Sequence, residues 1–553
     1  MKLRVEDLTL REKIGQTVIF HQYENWSKID DPESYFTQNP IGAMWTLSSP
    51  KEIYLRTEAA FGNPDLKGRR DEMFINSMNY LNRFVRVPIL PVMDASCGIS
   101  PKMFEDHPEL PTAASLGATR DADLAYEYGK NLGEDLRSIN FRWIWSPVAD
   151  NAGRFNGTRA LSSDSENNAR LLTAFIHGVQ SAGVATGAKH FPGPDPYDNR
   201  DSHFCTASYS QSFEYWKNHQ AKEFQACIDA GVDSVMIRHC TFKAVDDTRV
   251  NGALLPCTLS HKVITGLLKG EMGFEGVVLT DDVSMKALSA IYTPDKLYVE
   301  LLRAGIDMVL GPTRIDYIDI VEAAVLSGDL PESRIDDACR RILKMKERYG
   351  LLEHTTLPLP TEEKRAEIRA AFHRTAEKIA SKGITLTANR TNFLPLKPDR
   401  IRKVKIVYIG YSDLCYDNLK YAVEEFQKHG AECDLQRGFE RADNDTLDQY
   451  DLILYATFIG FHAPAGGQFF FGQECHMMRR IMTKCTEKSM AVSFGNTDIF
   501  FNYFTAAHTF VNCYSLNQET MIGLVKGIYG ELQFTDYNPF PLNPIYRNDD
   551  VYA

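Results

Sequence analysis

The chain has 553 residues, 44% hydrophobic and 24% charged, with a formal net charge of −12 at pH 7. That is the composition of a globular protein too long for one ordinary core, so two domains, or a large barrel with an addition, are expected. The acidic balance and the lack of any basic run speak against a nucleic-acid or membrane partner.

The N-terminal stretch MKLRVEDLTLREKIGQTVIF alternates charged and apolar residues, without the apolar core and small-residue cleavage site expected of a signal peptide. No stretch has the length of charge-free apolar sequence needed to span a bilayer. The eleven cysteines are scattered without CxxC pairs or zinc-ligand spacing. They read as reduced structural thiols of a cytoplasmic protein.

Through the first two-thirds, apolar runs alternate with amphipathic segments. The runs are Ile41 to Leu47, Pro88 to Met93, Phe141 to Val148, Val184 to Lys189, Ser234 to Arg238, Gly276 to Thr280 and Met308 to Leu310. Helical spacing fills Asp121 to Ile139, Ser165 to Ala182 and Phe213 to Ala230. Strand then helix, repeated, requires parallel strands, because parallel neighbours need a long crossover. Seven or eight such units suit an α/β fold with an N-terminal (β/α)8 TIM-like barrel. Most strands end in polar groups: Asp94, Asp150, Lys189 with His190, Arg238 with His239, and Asp281 with Asp282. In a barrel these ends converge on one face, where active sites lie.

After the fourth of these runs comes AKHFPGPDPYDNRDSH, from Ala188 to His203. Its prolines stiffen the loop, since each fixes its own φ and restricts the preceding residue. In an extended Asp-x-His the two side chains share a side, so Asp201 could orient His203 as a general acid/base. Solvated turn chemistry and divalent-metal ligation by Asp195, Asp198, Asp201 and His203 are the alternatives that the loop alone leaves open.

A helix from Glu332 to Tyr349 closes the first region, 1–350; a linker and connecting helix occupy 351–383, with the helix over Glu362 to Lys382. From 384 to 553 a second rhythm has apolar runs at Lys405 to Ile409, Leu452 to Ala456, Ala491 to Phe494 and Thr509 to Cys513. This reads as a smaller doubly wound α/β sandwich. Its glycines, Gly460, Gly466, Gly467 and Gly472, do not form a strand-GxGxxG-helix unit, so no nucleotide cofactor is expected.

Several motifs together resemble glycoside hydrolase family 3, particularly its β-N-acetylglucosaminidase branch. They are LTLREKIGQ near the start, LPTAASLGATRDADLAYEYGKNLGEDLR at 110–137, SPVAD at 146, RALSSD at 159, GAKHFPG at 187, DSH at 201, LPCTLS at 255 and GFEGVVLTDDVSMKAL at 273–288. They stand in the family's order and approximate spacing. The resemblance implies Asp281 as nucleophile and His203 with Asp201 as the acid/base dyad. It also implies Lys189, His190, Asp94 and Arg159 as sugar ligands, with Arg238 and His239 on the same wall. As structural alternatives, Arg159 could pair with Asp164, and Asp281 with Asp282 could cap a helix.

The implied activity is metal-independent, cofactor-free, retaining release of terminal β-linked N-acetylglucosamine from a small glycan. A β-glucosidase, a phosphorylase or a silent carbohydrate-binding protein are its rivals. The aglycone stays open, as does self-association, a homo-oligomer included. The chain departs from the family pattern in three places. KHFPGHG becomes KHFPGPD with one extra residue before Asp201, D-Q-E-G-G becomes Asp94-Ala95-Ser96-Cys97-Gly98, and Arg238 stands beside His239. In the β-glucosidase branch the acid/base comes from the second domain, which makes Glu474, within FHAPAGGQFFFGQE, the rival to His203.

Overall fold

The structure is a computed structural model that describes residues 3–21, 28–45, 70–96, 107–151, 156–198, 200–289, 291–353, 357–438, 446–460, 485–496 and 499–540. It divides into two compact units: Met1–Pro108, Tyr126–Asp150 and Leu172–Arg369 form the first, and Glu109–Ala125, Asn151–Leu171 and Ala370–Ala553 the second.

In the first unit eight strands pair in parallel. They are β1 (Val18–His21), β2 (Ala43–Trp45), β3 (Leu90–Met93), β4 (Trp143–Ile144), β5 (Gly187–Phe191), β6 (Ser234–Ile237), β7 (Val277–Thr280) and β8 (Val309–Leu310). Ladders join β8, β1, β2, β3 and β4 in that order, and β5, β6 and β7 in theirs. Single parallel bridges complete the ring, Trp143 to Ala185 on one side and Leu279 to Met308 on the other. The chain therefore forms the expected barrel. Alternate strand residues point inward and pack as one core: Ile19, Ala43, Trp45, Leu90, Val92, Trp143, Trp145, Ala185, Met236, Val277, Leu279, Met308 and Leu310.

The helices around the barrel follow from local sequence. Thr9 caps Leu10–Gln16: its hydroxyl accepts the Glu12 N–H at 3.2 Å, and the Glu12 carboxylate accepts the Thr9 N–H at 2.8 Å. Glu332–Arg348 buries Ile335, Ala338, Cys339, Ile342 and Met345, an apolar stripe at helical spacing. The expected single helix from Phe213 to Ala230 is instead two, Phe213–Asn218 and Gln220–Asp229. His219 breaks it at φ −123°, ψ −96°, with its ring stacked 3.9 Å from that of Tyr215. The first strand, β1, was absent from the expected set, because its four residues follow a helix with only Thr17 between.

The second unit holds a six-stranded sheet. Its strands are β9 (Thr385–Asn389), β10 (Lys403–Gly410), β11 (Glu432–Arg437), β12 (Leu452–Phe458), β13 (Ser489–Ser493) and β14 (Thr509–Asn512), in the order β9-β14-β13-β12-β10-β11. All pairings are parallel except β9 with β14. Alternate residues along each strand feed separate cores. Val404, Ile406, Leu452, Leu454, Val492 and Val511 face one side, and Val407, Ile409, Ile453, Tyr455, Ala491 and Phe510 the other. A sheet buried on both faces is the doubly wound arrangement the apolar runs indicated. Among the described residues, no helix is long and apolar enough to cross a membrane.

Candidate active site

At the carboxyl ends of β3 to β5 the polar residues lock together. The β5–β6 pairing slips between Ala188 and Phe191, which breaks the strict side-to-side alternation where Lys189 and His190 lie. The Lys189 ammonium, 1% exposed, donates to Asp94 Oδ1 at 2.6 Å. His190 is held twice by the fully buried Asp150, through its backbone N–H and through Nδ1, each at 2.9 Å. Burial alone would raise the Asp150 pKa; the hydrogen bonds it accepts from His190, with the charge of Arg238, hold it below the usual range, so it is an anion. Burial also lowers the His190 pKa against the pull of Asp150 and Asp281. The ring is then neutral, with its proton on Nδ1 and its Nε2 an acceptor.

The ends of β6 and β7 carry Arg238, His239 and Asp281. The Asp281 N–H donates to the Ile237 carbonyl at 3.0 Å, continuing the strand pairing, and Asp281 Oδ1 accepts the Asp282 N–H at 2.9 Å. Burial would raise the Asp281 pKa, but the imidazoles of His190 and His239, the Asp282 N–H and Lys189 outweigh it and keep the group ionised below its ordinary value. His239 is completely buried and both its nitrogens are engaged within the protein. Nε2 is 2.9 Å from the Asp282 carbonyl oxygen and Nδ1 is 3.0 Å from the Thr258 hydroxyl. A carbonyl can only accept, so the proton is on Nε2, and Nδ1 accepts from Thr258. Burial lowers the pKa of this ring too.

The loop after β5 is built on carboxylates spaced three apart. Asp195 Oδ1 accepts from Tyr197 N–H at 2.7 Å, Asp198 Oδ1 from Arg200 N–H at 3.0 Å, and Asp201 Oδ1 from His203 N–H at 2.9 Å. Each is an Asx turn, so Pro-Asp-Pro and the next two aspartates bend the chain in successive steps. Asp195 Oδ2 also takes the Ser210 N–H at 2.6 Å and its hydroxyl at 2.7 Å, which ties the loop's start to its return. Trp216 and Gln220 donate to the Pro192 and Pro194 carbonyls. Gly193 has φ +100°, and a Cβ there would sit 2.8 Å from the Gln220 side chain, so glycine is required.

At the end of this loop His203 Nδ1 is 2.6 Å from Asp201 Oδ1. Asp201 is buried, whereas the His203 side chain is 38% exposed. The His203 pKa is raised, first by that hydrogen bond, against burial, and further by the charges of Asp201, Asp281 and Asp282. Asp281 and the dyad thus lie within electrostatic reach of each other, and the Lys286 N–H donates to the His203 carbonyl at 3.2 Å. With Nδ1 engaged, Nε2 is the nitrogen left for proton transfer.

Arg159 ends the short 3-10 turn Gly157–Arg159 in the second unit. Glu474, Gly466, Gly467, Gly472, Cys97 and Gly98 lie outside the described residues. Two residues that organise the site were not singled out as site residues beforehand: Asp150 and Thr258. For Asp150 the signal was present in its place at a strand end. For Thr258 it was not, because a loop threonine looks the same whatever it holds. Asp195, named as turn chemistry or a metal ligand, is a turn residue here that ties the loop together.

Residues 9–345 match the family described as "Glycosyl hydrolase family 3 N terminal domain". A β-N-acetylglucosaminidase/β-glucosidase of Cellulomonas fimi is 27% identical over 363 residues, 62% of this chain and 64% of that protein. A β-hexosaminidase of Stenotrophomonas maltophilia is 32% identical over 233 residues, 40% of this chain and 67% of its own length. The alignments thus cover about two thirds of these relatives. Among solved structures, a family 3 β-N-acetylglucosaminidase from a Paenibacillus species superposes with TM-score 0.78 at 24% identity, covering 98% of this chain and 100% of that one. A β-glucoside phosphorylase superposes with TM-score 0.81 at 20% identity, covering 98% and 95%.

Proposed function

The chain belongs to glycosyl hydrolase family 3, and from that premise we propose that it is an exo-acting, retaining glycosidase that releases terminal β-linked N-acetylglucosamine from small glycans. One observation carries this reading: an ionised strand-end carboxylate, Asp281, lies within electrostatic reach of a protonatable imidazole, His203, that is oriented by its own buried aspartate.

In the first step the Asp281 carboxylate attacks the anomeric carbon while His203 Nε2 gives its proton to the departing glycosidic oxygen. The C–O bond to the aglycone breaks, a C–O bond to Asp281 forms, and His203 is left neutral. Water then attacks the same carbon, His203 takes its proton, and Asp281 leaves, restoring the starting configuration. The raised His203 pKa keeps the acid form available near neutrality, and the lowered Asp281 pKa keeps the nucleophile ionised. Asp94 with Lys189, His190 Nε2 and Arg238 are assigned to the sugar hydroxyls. His239 steadies the Asp281–Asp282 turn. The assignment of Arg159 to the sugar rests on its R-x-x-x-S-D motif.

The relatives' names support the acetamido sugar first and β-glucosides second. A second reading, phosphorolysis, has one physical argument: deprotonated His203 is neutral, so no second carboxylate repels phosphate from the glycosyl-enzyme. The test is turnover of aryl β-N-acetylglucosaminide against aryl β-glucoside, with Asp281→Asn and His203→Ala, in phosphate and in phosphate-free buffer. Preference for the acetamido sugar, lost in both variants, supports the proposal. Preference for the glucoside, or accumulation of sugar 1-phosphate, replaces it with the corresponding rival.

A further inference from the structure

The barrel end opposite the catalytic mouth holds two adjoining cavities, of 430 and 820 Å³. Both are lined by Asn140 and Arg142, the residues that lead into β4. Their backbone is set by the barrel: the Arg142 N–H donates to the Pro91 carbonyl at 3.2 Å, and its carbonyl accepts the Ala185 N–H at 2.9 Å. Asn140 is only 4% exposed, yet its amide Nδ2 has no hydrogen-bond partner among the described residues. The Arg142 Nε is likewise buried and without one. Leaving such donors unpaired is costly, and more so for a charged group.

The charge around them is one-sided. Arg142 forms no ion pair with any described carboxylate, and repulsion from Arg137 adds to burial in lowering its pKa. Of the two carboxylates on the walls, Glu134 is already met by Lys130 and Lys364, and Glu353 is exposed. Arg83 adds a further cation to the smaller cavity. Asn79, by contrast, donates to the Leu357 carbonyl and accepts its N–H, and Asn82 Oδ1 accepts the Ile89 N–H. What remains on offer is therefore a set of donors and positive charge beside an apolar wall of Pro88, Pro91 and Leu351.

We propose that this cavity is a binding site for a small oxyanion, held by the Arg142 guanidinium and the Asn140 amide. A phosphate or carboxylate group supplies what both lack, several acceptor oxygens and negative charge, and the planar guanidinium suits either. The site is independent of the catalytic reading, because it lies at the opposite ends of the strands.

Thermal denaturation of the full chain tests it, with inorganic phosphate and citrate as separate probes, each against sodium chloride of equal ionic strength. A saturable rise in Tm is expected for at least one probe, and which one responds tells phosphate from carboxylate recognition. Asn140→Asp should abolish the response while raising the Tm of the anion-free protein, since it sets a carboxylate on the wall that carries Arg142. Asp also tolerates the φ of +71° found there. Arg142→Gln should abolish the response as well, and if that variant does not fold, Asn140→Asp alone decides. Asp281→Asn should respond like the parent. No saturable rise above chloride, a response that survives Asn140→Asp, or one lost in Asp281→Asn would each overturn the proposal.

Discussion

Changing Asp201 to asparagine removes one charge and leaves the turn. An asparagine carbonyl can still accept the His203 N–H, and the second carboxylate oxygen has no partner among the described residues, so the exchange disturbs no other bond. What is lost is the charge on the 2.6 Å contact to His203 Nδ1. Hydrogen bonds to charged groups are worth about 1.5–3 kcal/mol, or roughly 10- to 150-fold in rate if the whole of it acts on the protonated imidazole. The His203 ring is 38% exposed, so solvent screening favours the lower end.

The sign follows from the direction of the shift. Asp201 raises the His203 pKa, so its removal lowers it, and the acid form is lost at a lower pH than in the parent. For an unactivated disaccharide, whose leaving oxygen needs the proton, kcat/KM at pH 7 should fall about 10- to 100-fold. The alkaline limb of the pH profile should move to lower pH, and part of the loss should return on acidification. An unchanged profile would refute the reasoning, as would a loss equal at every pH, which would mean that Asp201 serves geometry alone.

Three further outcomes follow from named contacts. Asp150→Asn should put an amide N–H against His190 Nδ1, reversing the ring tautomer so that Nε2 offers a proton instead of accepting one; kcat/KM should drop by about 100-fold or more, and nitrogen-15 shifts of the ring report the tautomer. Asp195→Ala should leave the N–H groups of Tyr197 and Ser210 without their acceptor. Limited proteolysis should then cut the loop faster and kcat/KM should fall, with global unfolding little changed. Lys346 is completely buried, donates to Gln16 and Pro88 at 2.7 Å each, and has its pKa pushed down to about 7 by burial. Below that pH folded and unfolded chains both hold the proton and the cost of burying it is full, an upper bound of about 5 kcal/mol. Between about 7 and 10 the unfolded chain holds more protons, so stability should rise with pH. Urea unfolding at pH 7 and pH 9 measures this, and Lys346→Met should flatten the difference.

The barrel was legible because most of its strands are buried on both sides and read as unbroken apolar runs, such as VVLT before Asp281. The edges of the second sheet were not. In β11, ECDLQR, every residue is exposed or half-buried, so no apolar run marks it. β9 was hidden too, since its Thr and Asn residues resemble a loop. Within the site, the aspartate two residues before His203 was readable, because Asp-x-His brings the pair together by local geometry alone. Asp150 on His190 and Thr258 on His239 were not, as those partners are brought together only by the fold and are 40 and 19 residues apart. His219 shows the same limit inside a helix, where apolar spacing continues through a residue whose backbone leaves the helical region.

The most direct measurement of the central claim is covalent trapping. The parent chain would be incubated with a slow fluorinated N-acetylglucosaminyl donor, digested, and examined by peptide mass spectrometry, beside Asp281→Asn. Retention through Asp281 predicts one sugar adduct, on the peptide that contains Asp281, and none in the variant. An adduct on another residue, or hydrolysis of the donor by the Asp281→Asn chain at the parent's rate, would contradict it.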